Sequence, residues 1–234
     1  METLNQPKQA QRIQTSIINA AERKVLLWLA QRQPRWATSD MLTFVGTLGA
    51  FLTGLGFFLT KYDIGWLWLS TAGLVVNWYG DSLDGTLARV RNCQRPIYGY
   101  YLDHTVDCIN EAFMFIGAGL SPLVHLDLAL LAYILYLFLT INVSINAHLK
   151  SEFRLTYAKL GPTEFRILII LANTILLMFP SIATFGVVLH GYRLATFDFV
   201  AMFIIVALAI IYLATLVGDA RKYAKIDPSR EWKN

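Results

Sequence analysis

Apolar runs of about twenty residues, the length that spans about 30 Å of hydrocarbon at 1.5 Å per residue, recur along most of the chain. They fall near 41–60, 64–82, 103–122, 126–148, 165–186 and 197–217, separated by short polar stretches. The pattern predicts an all-α polytopic membrane protein with six transmembrane helices in one domain. Pro180, inside the fifth run, predicts a kink near its outer end. Ahead of the first run, Ile13, Ile17, Ile18, Val25, Leu26, Trp28 and Leu29 recur at intervals of three and four, and Arg12, Glu22, Arg23, Lys24 and Arg32 fill much of the remainder. This predicts an amphipathic helix lying on the membrane surface and ended by Pro34, after which Ser39 or Asp40 caps the first span. The expected organisation is therefore an N-terminal segment over 1–35, a membrane domain over 36–222 and a tail over 223–234.

Composition agrees with the pattern. The chain is 56% hydrophobic and 15% charged, against about 25% charged in soluble domains. The placement of charge adds an orientation. Eighteen of the 20 Lys and Arg residues fall before the first run, between the second and third, between or beside the fourth and fifth, or after the sixth; only Lys61 and Arg193 fall in the other connections. By the positive-inside rule both termini and the loop after residue 89 face the cytoplasm, in the inner membrane if the cell is bacterial. The net charge of +4 then reflects topology and attraction to anionic membrane lipids, and no nucleic-acid partner is expected, since no dense basic face with stacking aromatics is present. Cys93 and Cys108 form no disulfide framework. No basic start followed by a short apolar run and a cleavage site precedes the first span, so a cleaved signal peptide is not expected.

Against this apolar background, Asp81, Asp84, Asp103 and Asp107 stand out. An acid placed in hydrocarbon costs about 2.5–3.5 kcal/mol on insertion scales, so a cluster of them needs compensating charge. Spacings of three and four residues stack each pair on one helix face, and two such helices face to face offer carboxylate oxygens to hard cations such as Mg2+ or Mn2+. Counting from Gly65, Asp81 lies about 24 Å along its helix, in the cytoplasmic third of the bilayer, and Asp103 and Asp107 enter from that same side. Glu111, one turn deeper on the same face, reads equally as a metal neighbour, an acceptor ligand or a partner for a buried cation. His104 and His148 read as packed or interfacial side chains, and Asp127 and Asp198 as helix-end carboxylates in water.

The full stretch is Asp-x2-Asp-Gly-x2-Ala-Arg, a gap, then Gly-x3-Asp-x3-Asp, made by Asp81, Asp84, Gly85, Ala88, Arg89, Gly99, Asp103 and Asp107. It resembles the signature of the CDP-alcohol phosphotransferase family of membrane enzymes. The gap is one residue longer than the family pattern is commonly written, a difference a loop absorbs. The resemblance implies attack of an alcohol hydroxyl on the phosphorus of a CDP-linked donor, with release of CMP, in a homodimeric enzyme. It implies that Asp81, Asp84 and Asp103 hold metal, that Asp107 joins them and acts as base, and that Asp84, Gly85, Ala88, Arg89, Gly99 and Asp103 border the CDP moiety. It also directs attention to Lys150, Arg154, Glu164 and Arg166, which would crowd the cytoplasmic mouth and suit an anionic acceptor; positive-inside topology accounts for the same basic residues equally well.

The donor separates two branches. One transfers phosphatidyl from CDP-diacylglycerol to serine, glycerol phosphate or inositol phosphate; the other transfers phosphocholine or phosphoethanolamine to diacylglycerol, which the Leu102-Asp103-His104 and Thr163-Glu164 pairs faintly resemble. The compact chain and basic mouth favour CDP-diacylglycerol. Leu83-Asp84-Gly85-Thr86-Leu87 also resembles the nucleophile loop of haloacid-dehalogenase-type phosphatases, but Ser82 stands where that loop needs aspartate. A cation-coupled transporter is the remaining rival, disfavoured by the lack of an evident inverted repeat or broken helix.

Overall fold

The structure is a computed structural model and describes residues 11–13, 18–150, 152–154, 162–189 and 192–229. Long helices occupy each of the six predicted runs: α2 (Ser39–Leu59), α3 (Leu67–Val90), α4 (Pro96–Gly119), α5 (Leu126–Lys150), α6 (Pro162–Met178) and α8 (Thr196–Ile226). A shorter helix, α1 (Asn19–Arg32), precedes them, and α7 (Pro180–Thr184) follows α6. Two small strand pairs qualify the all-α expectation. One is a parallel pair of β1 (Gln11–Ile13) and β2 (Glu152–Arg154), the other an antiparallel hairpin of β3 (Gly186–Leu189) and β4 (Tyr192–Ala195).

Among the described residues, three helices are long and apolar enough to cross a membrane: α2, α5 and α8. The other long helices fall short for physical reasons. Asn77, Asp81 and Asp84 interrupt the apolar run of α3, and Asp103, Asp107 and Glu111 that of α4, while α6 has only 17 residues. The apolar window of α8 buries none of its residues against the protein, and Phe203 is 76% exposed. Surface of that kind has lipid, not water, as its natural solvent.

The helices meet where side chains are absent. A Cβ on Gly80 would lie 2.2 Å from the backbone nitrogen of Gly46, one on Gly49 would lie 2.3 Å from that of Asn77, and one on Gly117 would lie 2.3 Å from the Gly54 backbone. Glycine alone permits this approach, which places α3 and α4 directly on the backbone of α2. The register runs α3 antiparallel to α2, with Gly80 beside Gly46 and Ser70 beside Gly56, and α4 parallel to α2. The start of α2, the end of α3 and the start of α4 therefore share one end of the bundle. Arg91 to Arg95, with Asn92 at φ 51°, makes the link between α3 and α4 that carries the extra residue.

Three local expectations differ. Thr38, not Ser39 or Asp40, caps α2, accepting from the Met41 amide at 3.2 Å; Ser39 and Asp40 are drawn instead to Asp84 and Arg95. Pro180 does more than kink the fifth run: α6 ends at Met178 and a separate short helix begins at Pro180, because the proline lacks a donor to continue the ladder. The face that α1 buries is Glu22, Leu26 and Ala30, against Leu83 and Leu87 of α3, while Trp28 and Val25 stay exposed; Ile17 lies outside the described residues.

At the end of the bundle away from the aspartates, Asp198 is fully buried and not a solvated helix-end acid. It accepts from the His125 amide at 2.8 Å and from the Ala195 amide at 2.6 Å, and contacts His125 Nδ1 at 2.7 Å, pinning the α4–α5 connection to the start of α8. A cavity of about 530 Å³ lies beside it, lined among others by Thr60, Leu123, His125 and Phe185. None of the motif acids reaches it, so volume alone does not mark the chemistry.

Candidate active site

Asp81 on α3 and Asp103 and Asp107 on α4 come together so that one carboxylate oxygen of each lies within 4.8 Å of the others. Helix spacing explains the pairing: Asp103 and Asp107 are one turn apart on α4, and the glycine contacts set α3 and α4 at matching depth. Asp103 is the open edge of the group, its side chain 48% exposed, whereas Asp81 is 21% exposed. The set is all carboxylate, with neither histidine nor cysteine in it. It fits a hard divalent cation such as Mg2+ or Mn2+, which takes oxygen ligands.

Asp84, one turn on from Asp81, is held separately. Its Oδ2 accepts from Thr43 Oγ1 of α2 at 2.6 Å, its Oδ1 from the Gly85 amide, and its backbone carbonyl from Ser39 Oγ at 2.9 Å. These bonds use both carboxylate oxygens yet leave further lone pairs, since an ionised carboxylate has about four acceptor sites. The small motif residues leave space on this side: a Cβ on Gly99 would meet nothing within 4 Å, and one on Gly85 only the Arg89 guanidinium at 3.4 Å. Arg89 Nη2 donates to Thr86 Oγ1 at 2.9 Å. The Asp103 carboxylate stands 3.8 Å from His104 Nδ1, and His104 stacks on Tyr100 at 4.1 Å between ring centroids.

Arg166 reaches the aspartates from α6. Its Nη2 bonds Asp81 Oδ2 at 2.5 Å and its Nε bonds Asn77 Oδ1 at 3.0 Å, while Asn77 Nδ2 donates to the Gly46 carbonyl at 3.0 Å. Glu164 points elsewhere. Two residues apart on a helix is about 200° of rotation, and Glu164 Oε1 accepts from the Ile18 amide at the start of α1. The side chains of Lys150, Arg154 and His148 lie outside what the structure describes.

The family described as CDP-alcohol phosphatidyltransferase matches residues 36–218. The chain belongs to that family. Its matched region opens just after α1 and runs into α8, so it contains all three helices that carry the acids and Arg166. A relative described as phosphatidylinositol phosphate synthase, from Cutibacterium acnes (strain DSM 16379 / KPA171202), is 38% identical over 83 residues. That match covers 36% of this chain and 38% of the relative.

Ser39, Thr43 and Asn77 join the hydrogen-bond network of Asp84 and Arg166; the sequence marks Ser39 only as a helix cap and gives Thr43 and Asn77 no role. Thr43 and Ser39 sit in an ordinary helix start, where hydroxyls usually bond their own backbone. The only signal was Asn77 itself, a primary amide in the middle of an apolar run, four residues before Asp81 and hence on its face.

Proposed function

We propose that this chain is a six-span integral membrane enzyme of phospholipid synthesis that transfers a substituted phosphate from a CDP-linked donor, CDP-diacylglycerol, to an alcohol, releasing CMP. The observation that carries this reading is the convergence of Asp81, Asp103 and Asp107 from two helices to within 4.8 Å, in a chain of the CDP-alcohol phosphatidyltransferase family. In the reaction the acceptor oxygen forms a bond to the donor phosphorus next to the diacylglycerol, the bond from that phosphorus to the CMP oxygen breaks, and the hydroxyl proton passes to a carboxylate. CMP leaves with the electron pair of the broken bond.

Each residue has a role in this reading. Asp81, Asp84, Asp103 and Asp107 would hold Mg2+ or Mn2+, which when bound offsets the diphosphate charge. Asp107, one turn beyond Asp103 on α4, takes the hydroxyl proton. Gly85, Ala88 and Gly99 let the nucleotide approach backbone, supported by the open space at Gly85 and Gly99, and Arg89 faces the diphosphate. Arg166, held 2.5 Å from Asp81, is placed to meet an anionic acceptor at the edge of the aspartates, with Lys150 and Arg154 further out. Glu164 braces α6 against α1 through Ile18. The termini and the site face the cytoplasm by the basic-residue asymmetry, and a homodimer follows from the family resemblance.

Purified protein in lipid, incubated with CDP-diacylglycerol or CDP-choline and a panel of glycerol 3-phosphate, inositol 1-phosphate, L-serine and diacylglycerol, tests the proposal. CMP release with a phosphatidyl product from CDP-diacylglycerol is expected. Release only from CDP-choline reassigns the donor, and no release from any pair removes the enzyme reading.

A further inference from the structure

One turn beyond Asp107 on α4, two acceptor oxygens are buried without hydrogen-bond partners: Asn110 Oδ1 and Glu111 Oε2. Asn110 is 6% exposed. It follows Asp107 by three residues and Asp103 by seven, so it continues their helical stripe, and Glu111 follows Asp107 by four. Tyr136 of α5 lies beside the Glu111 carboxylate, whose Oε2 has no donor. Glu111 is also close enough to Asp81 and Arg166 to interact with both charges. It lies one turn beyond Asp107 on the helix that carries Asp103 and Asp107.

A buried acceptor left unsatisfied is destabilising, the more so when charged. Two neighbouring ones at the inner edge of a reaction site call for a ligand that brings donors. We propose that Glu111, with Asn110 beside it, forms the membrane-ward floor of the acceptor subsite and takes hydrogen bonds from a polar acceptor alcohol carrying O–H or N–H groups besides the reacting hydroxyl. This deepens the phosphotransferase reading and rests on it. Diacylglycerol does not satisfy the floor, because its single hydroxyl is the one that reacts and the rest is ester and hydrocarbon. A polyol or an amino alcohol does. The floor therefore selects the branch in which the diacylglycerol arrives on the donor.

The experiment measures KM and kcat for both substrates, and the Mg2+ dependence, in wild type, Glu111→Gln and Tyr136→Phe, using whichever panel acceptor supports CMP release. Glu111→Gln should raise the acceptor KM about 10–100-fold, the loss of one charge-assisted hydrogen bond, with the KM for CDP-diacylglycerol and the Mg2+ requirement unchanged. Tyr136→Phe, which keeps the carboxylate but removes the hydroxyl beside it, should raise the acceptor KM by less. On wild type, a deoxy or O-methylated analogue of the acceptor should show a comparable rise, a result that does not depend on any variant folding. An unchanged acceptor KM in Glu111→Gln together with an indifferent response to the analogue overturns the proposal, leaving water as the occupant. So does an altered Mg2+ requirement at unchanged acceptor KM, which makes Glu111 a cation neighbour. If wild type releases CMP only with diacylglycerol as acceptor, this inference falls while the phosphotransferase reading stands; if no pair yields CMP, both fall.

Discussion

At the scale of single residues, the acids divide by what already holds them. Asp84 is engaged by Thr43 and the Gly85 amide, and Asp81 by Arg166, whereas the hydrogen bonds and ion pairs described above show no comparable clamp on Asp107. That difference is the ground for proposing Asp107, and not Asp81 or Asp84, as the group that takes the hydroxyl proton. Asp107→Asn should lower turnover about 10²–10⁴-fold, the usual cost of removing a general base, with a smaller effect on the KM for the CDP-donor. An equal loss of donor and metal binding would make Asp107 a ligand alone. The motif acids were legible because charge in an apolar run has no ordinary explanation. Thr43 and Asn77 were not, since a threonine or asparagine within a helix is unremarkable until its partner is known. Arg166 was legible as a basic residue near the mouth, but its pairing with Asp81 joins residues 85 positions apart, and no local pattern encodes that.

At the scale of elements, the site depends on helices that touch through glycine. Gly80 precedes Asp81, and a Cβ there would lie 2.2 Å from the Gly46 backbone nitrogen and 2.4 Å from the Leu42 carbonyl. Backbone cannot yield as a side chain can, so Gly80→Ala must push α3 off α2 and carry Asp81 with it. The expected outcome is a loss of about 1–3 kcal/mol of stability, typical of overpacking, and a fall in CMP release beyond that of Gly218→Ala. Gly218, on α8, is the control because a Cβ there meets nothing within 4 Å. Equal behaviour of the two variants would show that helix contact does not set the site. The long helices were readable from apolar periodicity, and α6 was readable up to its end near Pro180. The orientation of α1 was not. Its apolar stripe predicts a lipid-facing helix, yet Glu22 turns inward because Trp78 Nε1 and Thr163 Oγ1 both donate to it, at 2.9 and 2.6 Å. Two donors from distant helices satisfy that carboxylate, while Leu26 and Ala30 of the same face pack on Leu83 and Leu87.

At the scale of the whole molecule, the helices that bear the chemistry are the ones whose own composition weakens them as membrane spans. Of the clearly apolar helices, α2 packs on both α3 and α4, α5 packs on α4, and α8 packs on α5. Placing the site at the cytoplasmic end is a statement about topology, and Cys93, exposed in the link between α3 and α4, reports on it. An impermeant thiol reagent should fail to label Cys93 in intact cells and label it after permeabilisation, with Cys108 replaced. Labelling from outside would invert the arrangement.

In the proposed reaction the carboxylates of α3 and α4 form a metal-dependent centre for releasing CMP from a CDP-linked lipid. The most direct measurement follows CMP release from CDP-diacylglycerol by the purified protein in lipid, first in EDTA and then with Mg2+ or Mn2+ restored, for wild type and Asp81→Asn. No CMP is expected in EDTA, with recovery on adding either cation to wild type and little recovery in Asp81→Asn. Undiminished CMP release in EDTA, or full recovery in Asp81→Asn, would contradict it.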